Sequence, residues 1–112
     1  MPPEDRIRIL HILDACDSVA RFIDDRSRDD LDSNEMLLFA LVRAIEVIGE
    51  AAARVTTETR ENLTDIPWEA MTSMRNRLIH AYFEVDRDIV WRTATEDVPQ
   101  VARALSRVRL ET

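Results

Sequence analysis

Three polar side chains lie close together along the chain, Arg75, Asn76 and His80. A histidine whose pKa is about 6.5 exchanges protons at neutral pH, so it can serve as a general acid or base. A neighbouring asparagine amide can hold the imidazole in one orientation, and an arginine can stabilise charge that develops on a phosphoryl group. Together they suit attack of an RNA 2′-hydroxyl on the adjacent phosphate.

A helix is predicted to present this cluster. Asn76 and His80 are four residues apart, so their side chains are neighbours on one helical face. At about 100° per residue, both lie roughly opposite Leu78, which centres the apolar face. That face contains Met71, Met74, Leu78, Ala81, Tyr82 and Val85.

The position of Arg75 leaves a geometric question. It lies about 140° from His80 around the helix. It therefore reaches the imidazole by curling its side chain, by fraying of the helix end, or from another chain. Arg77 is nearer in angle and is a candidate auxiliary cation. His80 could also be a solvated histidine or an interface residue, whereas a core position conflicts with its place opposite Leu78.

Composition favours an all-α fold. The chain has 112 residues with 46% hydrophobic residues and one glycine, which is too few glycines for a typical sheet or phosphate-binding fold. One domain, residues 1–112, is expected. Only two histidines are present, and His11 is predicted to be a packing or surface residue. No metal site and no cofactor are therefore predicted.

Charge and cysteine content restrict the class of protein further. The net charge is −7, which argues against a general nucleic-acid binder but leaves room for a local cationic site. Cys16 is a single cysteine on an apolar stripe, so we expect a buried thiol and a reducing, cytoplasmic setting. Neither a signal peptide nor a membrane span is expected.

Apolar spacing and capping signals predict four long helices. Gly49 in the second helix is predicted to have a packing reason, since glycine disfavours helices. Trp68 and Trp91 are predicted core or interface anchors. The first predicted helix spans 3–24 and is followed by a polar loop over 25–32. The second is capped by Ser33 and runs to Thr56, and the connection after it, over 57–65, allows a short helical turn. The third spans 68–82 and is entered through Asp65 or Ile66 and Pro67, and the fourth spans 87–110, is capped by Asp86 and is kinked or restarted at Pro99.

Four features in order resemble one family. The string from Arg75 to Phe83 resembles the Arg-x4-His-x-Tyr signature of HepT toxins (the DUF86 family) within the HEPN ribonucleases. The segment 44–52 resembles that family's Ile-Gly-Glu-Ala helix, Ile66-Pro67-Trp68 precedes the motif, and Val85-Asp86 with Trp91 follows it. The resemblance covers nearly the whole chain.

The resemblance implies a four- to five-helix up-and-down HEPN bundle that forms a homodimer with a composite cleft. It also implies a metal-independent endoribonuclease that acts on cellular RNA. The implied partner is an MntA-like minimal nucleotidyltransferase antitoxin that adds AMP to the motif tyrosine, here Tyr82. Glu50, in the Gly-Glu-Ala string, is either a solvated acid or an auxiliary residue of the site.

Two other classes of function stay open at this point. The chain could be a non-catalytic HEPN domain that binds a nucleotidyltransferase or RNA through the same face. It could also be a plain helical dimerisation module. The presence of Arg75, Asn76, His80 and Tyr82 together favours the ribonuclease.

Overall fold

The chain folds into an all-α helical bundle, as the sequence predicts. The structure is a computed structural model that describes residues 1–79, 85–108 and 110. Within those residues every regular element is helical. The elements are α1 (Pro3–Ile23), α2 (Asp30–Ser33), α3 (Glu35–Arg54), α4 (Thr57–Asn62), α5 (Trp68–Ile79), α6 (Arg87–Arg92), a π-helical segment (Thr93–Asp97) and α7 (Val98–Ser106).

Helix α3 is the central element of the bundle. It packs against α1 on one side and α5 on the other, and α7 also packs against α1. The apolar stripe predicted for α1 is buried at Ile9, Ile12, Cys16 and Val19, as expected of an amphipathic helix, whereas its flanking members Leu13 and Ile23 are half-buried and Ala20 is exposed. The largest fully buried side chains of α1 and α3 are Ile9, Ile12, Val19, Leu41, Ile45 and Ile48.

The entry to α3 differs from the prediction. The N-cap is Asn34, whose side-chain oxygen accepts a hydrogen bond from the Leu37 N–H at 3.0 Å. The predicted cap, Ser33, instead ends α2, a short helix that replaces the last part of the predicted polar loop. The short helix α2 is held in place by Leu31, whose side chain is 1% exposed and anchors α2 to the core.

The last predicted helix is three segments in succession. Asp86 caps α6 as predicted, because its carboxylate accepts hydrogen bonds from the backbone N–H groups of Asp88 and Ile89. The chain then widens into the π-helical segment before α7. Pro99 has no N–H to give to a carbonyl one turn back, and the widened turn lies where that bond would be lost. The helix ends at Ser106, short of the predicted Leu110.

A buried carboxylate joins the start of α1 to the start of α4. Asp5 is 1% exposed and accepts hydrogen bonds from the Thr56 N–H at 3.1 Å, the Thr56 hydroxyl at 2.6 Å and the Thr59 hydroxyl at 2.6 Å. Burial opposes ionisation, but these hydrogen bonds and the charge of Arg8 outweigh it and lower the pKa of Asp5. No local sequence pattern indicates this role of Asp5.

None of the described helices combines the length and apolar character that a membrane crossing requires.

Replacing Asp5 with Asn should destabilise the fold by about 1–3 kcal/mol near pH 7, because a neutral amide cannot accept all three hydrogen bonds. Since the folded-state pKa is lowered, the contribution of Asp5 is present above its unfolded pKa and is lost as pH falls through the folded value. Urea unfolding as a function of pH measures this. Exposed Glu4→Gln is the control, and a gap between wild type and Asp5→Asn that persists at low pH would contradict the account.

The Cys16 thiol should react slowly with thiol reagents in the folded protein. Its side chain is buried, as predicted, and burial raises the pKa of the thiol to about 12. The thiolate is the nucleophile, so little of it is present at neutral pH. A disulfide reagent should modify Cys16 at least 100-fold faster in denaturant than in buffer; equal rates would show that α1 opens readily.

Candidate functional site

Helix α5 carries the described part of the predicted cluster. Pro67 directly precedes the helix, and the indole N–H of Trp68 donates a hydrogen bond to the Leu63 carbonyl at 3.0 Å. This bond and the burial of Trp68 fix the start of the helix, which confirms Trp68 as a core anchor. The predicted apolar face is confirmed at Met71, Met74 and Leu78, which are buried, whereas Val85 is half-buried and lies outside α5.

The other face of α5 places the polar residues at two different depths. Asn76 and Arg77 are exposed, and Arg75 is half-buried. The exposure of Asn76 agrees with its predicted position opposite Leu78. His80 and Tyr82 lie outside the described residues, so their predicted roles stay predictions.

Arg75 lies where α5 closely approaches α3 at Gly49. A Cβ atom built on Gly49 would lie 2.8 Å from the Arg75 Cβ, so the absence of a side chain at Gly49 allows the contact. The predicted packing reason for Gly49 is therefore confirmed. The Nε of Arg75 is buried and has no hydrogen-bond partner among the described residues. A buried N–H without an acceptor is costly, and the Nε atoms of Arg6 and Arg8 are in the same situation, so this feature alone does not single out Arg75.

Arg77 differs from Arg75 in having a carboxylate beside its guanidinium. Its guanidinium lies 3.4 Å from the Asp97 carboxylate, which the π-helical segment carries. The pair borders a cleft of about 470 Å³ between α5 and α7, with Ser73 and Gln100 also in its walls. The carboxylate offsets the charge of Arg77, so contact between Arg77 and a phosphate would require the pair to separate.

Glu50 follows Gly49 but forms its ion pair within α3. Its carboxylate lies 3.7 Å from the Arg43 guanidinium, and Glu46 lies 3.9 Å from the same group. No bond from Glu50 to Arg75 occurs in the described part of the chain. The auxiliary role predicted for Glu50 stays a prediction.

An apolar groove runs between α1 and α3, away from the motif helix. Its volume is about 470 Å³, and Phe22, Ala40, Ala44 and Val47 contribute its apolar surface. Exposed His11 borders it, in keeping with the predicted surface position. Large exposed apolar side chains occur on the same two helices, namely Ile7, Leu10, Met36 and Phe39.

Among residues 1–79, 85–108 and 110, no group of three or more metal-ligating side chains comes together.

Sequence reasoning missed two features of the site. It singled out Gly49 as a packing residue but not Arg75 as the residue that packs there, because helix spacing says nothing about which neighbour approaches. It also missed Asp97 as the partner of Arg77. The two residues are far apart in sequence, and the π-helical turn that carries Asp97 leaves no clear sequence pattern.

Comparison with known proteins identifies the family of the chain. The family model described as "Ribonuclease HepT-like" matches residues 12–108. A protein of Methanocaldococcus jannaschii, provisionally named an RNase, is 36% identical over 82% of this chain and 84% of its own length. "Probable ribonuclease HepT" of Thermococcus cleftensis is 34% identical over 88% of this chain and 89% of its own.

A third relative, from Caldanaerobacter subterraneus subsp. tengcongensis and also provisionally named an RNase, is 33% identical over 88% of both chains. No solved structure matches the chain. A family match over most of the chain, together with relatives above 30% identity, shows that the protein belongs to the HepT-like ribonuclease family.

Proposed function

We propose that the chain is a metal-independent endoribonuclease that cleaves cellular RNA and acts as the toxin of a HEPN/MNT toxin–antitoxin pair. One observation carries the proposal: Arg75 is half-buried on the motif helix, with its Cβ at the close approach of α5 to Gly49 of α3. Asn76 is exposed one residue further along. Membership of a ribonuclease family supports the choice of RNA as substrate.

The proposed reaction is internal transesterification. A base removes the proton from the 2′-hydroxyl, whose oxygen attacks the adjacent phosphorus. The bond from phosphorus to the 5′-oxygen breaks, and that oxygen takes a proton. The products are a 2′,3′-cyclic phosphate and a 5′-hydroxyl. His80 is the proposed acid/base for the proton transfers, since a pKa of about 6.5 suits both directions at neutral pH.

Arg75 is the proposed electrophilic group. Negative charge grows on the non-bridging phosphoryl oxygens as the 2′-oxygen attacks, and a guanidinium fixed in place stabilises it without reorganising. A half-buried arginine is better suited to this than Arg77, whose charge faces Asp97 at 3.4 Å. Asn76 is proposed to hold the imidazole, and Arg77 and Glu50 are auxiliary residues.

A second copy of the chain is the proposed partner that completes the cleft. Arg75 and His80 diverge by about 140° on an ideal helix, so a site shared between two copies would relieve this divergence. The proposed setting is the cytoplasm, in keeping with the free thiol of Cys16.

Regulation is proposed to act through Tyr82. An MntA-like nucleotidyltransferase antitoxin would transfer AMP to the phenol oxygen of Tyr82 and release pyrophosphate from ATP. The added phosphate would add negative charge to the motif and oppose binding of the RNA backbone.

The alternative is a non-catalytic HEPN domain that binds a nucleotidyltransferase or RNA. The exposed motif face would then serve recognition alone. A catalytic assay on variants of the motif separates the two functions.

His80→Ala should reduce RNA cleavage at least 100-fold and Arg75→Ala about 100-fold, both measured in excess EDTA. Exposed His11→Ala and Arg54→Ala are matched controls that should cleave like wild type. Circular dichroism checks that the variants fold. Cleavage that needs a divalent ion would exclude the metal-independent reaction, and full activity of His80→Ala would exclude the assigned site.

Co-expression with the cognate nucleotidyltransferase should add the mass of one or more AMP units to the peptide that contains Tyr82. Tyr82→Phe should remain a ribonuclease and resist this inhibition, because it lacks the acceptor hydroxyl. Mass spectrometry of the intact chain and its peptides measures the addition. An inhibited toxin with an unmodified Tyr82 would show instead that the antitoxin acts by binding.

A further inference from the structure

Gly49 lies in the middle of α3, where glycine is a poor helix former. It does not have a positive φ, so its backbone conformation is open to any residue. What glycine provides here is space. A Cβ on Gly49 would lie 2.8 Å from the Arg75 Cβ, 3.3 Å from the Met71 carbonyl oxygen and 3.6 Å from the Arg75 N.

The atoms that a Cβ on Gly49 would crowd are backbone atoms of α5 and the Cβ of Arg75. A flexible side chain could rotate away from an added methyl group, but the Arg75 Cβ moves only with its helix. Met71 and Met74 hold α5 against the core with 0% and 2% exposure, so the helix has little freedom to turn in place. An alanine at Gly49 would therefore push α5 outward at Arg75.

The contact also fixes the depth of the arginine. Arg75 starts from a Cβ pressed against α3, and its Nε is buried. An outward shift of α5 would carry the guanidinium with it. Misplacement of a catalytic group by about 1 Å can cost about 100-fold in rate.

We propose that Gly49 is a positioning residue for Arg75: the missing side chain on α3 sets where the guanidinium meets the RNA phosphate. This inference rests on the proposed ribonuclease function and adds to it a residue that does not touch the substrate. Gly49 is therefore assigned two effects: it allows α3 and α5 to pack closely, and it fixes the position of the Arg75 charge.

The test is Gly49→Ala, with Ala53→Leu as control because Ala53 is an exposed position on the same helix. Gly49→Ala should lower kcat/KM about 10- to 100-fold, because a displaced Arg75 both binds the phosphate and stabilises its developing charge less well. Ala53→Leu should cleave like wild type. Alanine favours helices, so an unconstrained position would gain thermal stability; a lower Tm for Gly49→Ala would report the crowding.

A double-mutant cycle separates positioning from general support of the fold. Binding of an uncleavable 2′-deoxy-substituted RNA is measured by fluorescence anisotropy for wild type, Gly49→Ala, Arg75→Ala and the double variant. Gly49→Ala should weaken binding when Arg75 is present and have no effect when Arg75 is absent. Equal weakening in both backgrounds, or full activity of Gly49→Ala, would overturn the inference.

Two further results would test other parts of the proposal. If Arg75→Ala cleaves normally, the proposed catalytic site fails, whatever Gly49 does. If Gly49→Ala does not fold, Arg75→Gly in the same chain removes the opposing Cβ and should restore folding. Failure of that double variant to fold would overturn the contact as the cause.

Discussion

The close approach of α5 to α3 at Gly49 is the constraint on which the candidate site depends. It operates together with the buried methionines of α5, because turning the helix to free Arg75 would expose Met71 and Met74 to water. Burying such side chains contributes about 1.5–3 kcal/mol each, so the core holds α5 in one orientation. The depth of Arg75 therefore follows from packing, and the exposure of Asn76 follows from the same orientation.

For binding of RNA, the charge at individual positions of the surface matters more than the net charge of the chain, which is −7. Several arginines lie beside carboxylates, as Arg77 does beside Asp97 and Arg28 beside Asp88. Such surface pairs add little stability, but they offset the positive charge available to RNA. Arg75 lacks a carboxylate partner in the described part of the chain, which makes its guanidinium the better candidate for a phosphate. An acidic protein can therefore still offer one cationic position to a polyanion.

The sequence predicted the features that depend on local periodicity. The α1 stripe, the apolar face around Leu78 and the Asp86 cap are confirmed because spacing and capping chemistry are local. The errors occur where tertiary contacts decide. Leu31 holds a short helix that displaces the predicted Ser33 cap, and the π-helical turn before Pro99 was predicted only as a kink or restart. The Asp5 network joins residues about 50 positions apart, so no local pattern reveals it. His80 stays a prediction from the motif.

The chemistry of the cleaved ends tests the central claim most directly. Wild-type protein is incubated in excess EDTA with an RNA oligonucleotide, and the termini of the products are identified by mass spectrometry. Attack by the 2′-oxygen predicts a 2′,3′-cyclic phosphate on one product and a 5′-hydroxyl on the other. Products with a 3′-hydroxyl and a 5′-phosphate would contradict the account, because they require water rather than the 2′-oxygen as nucleophile.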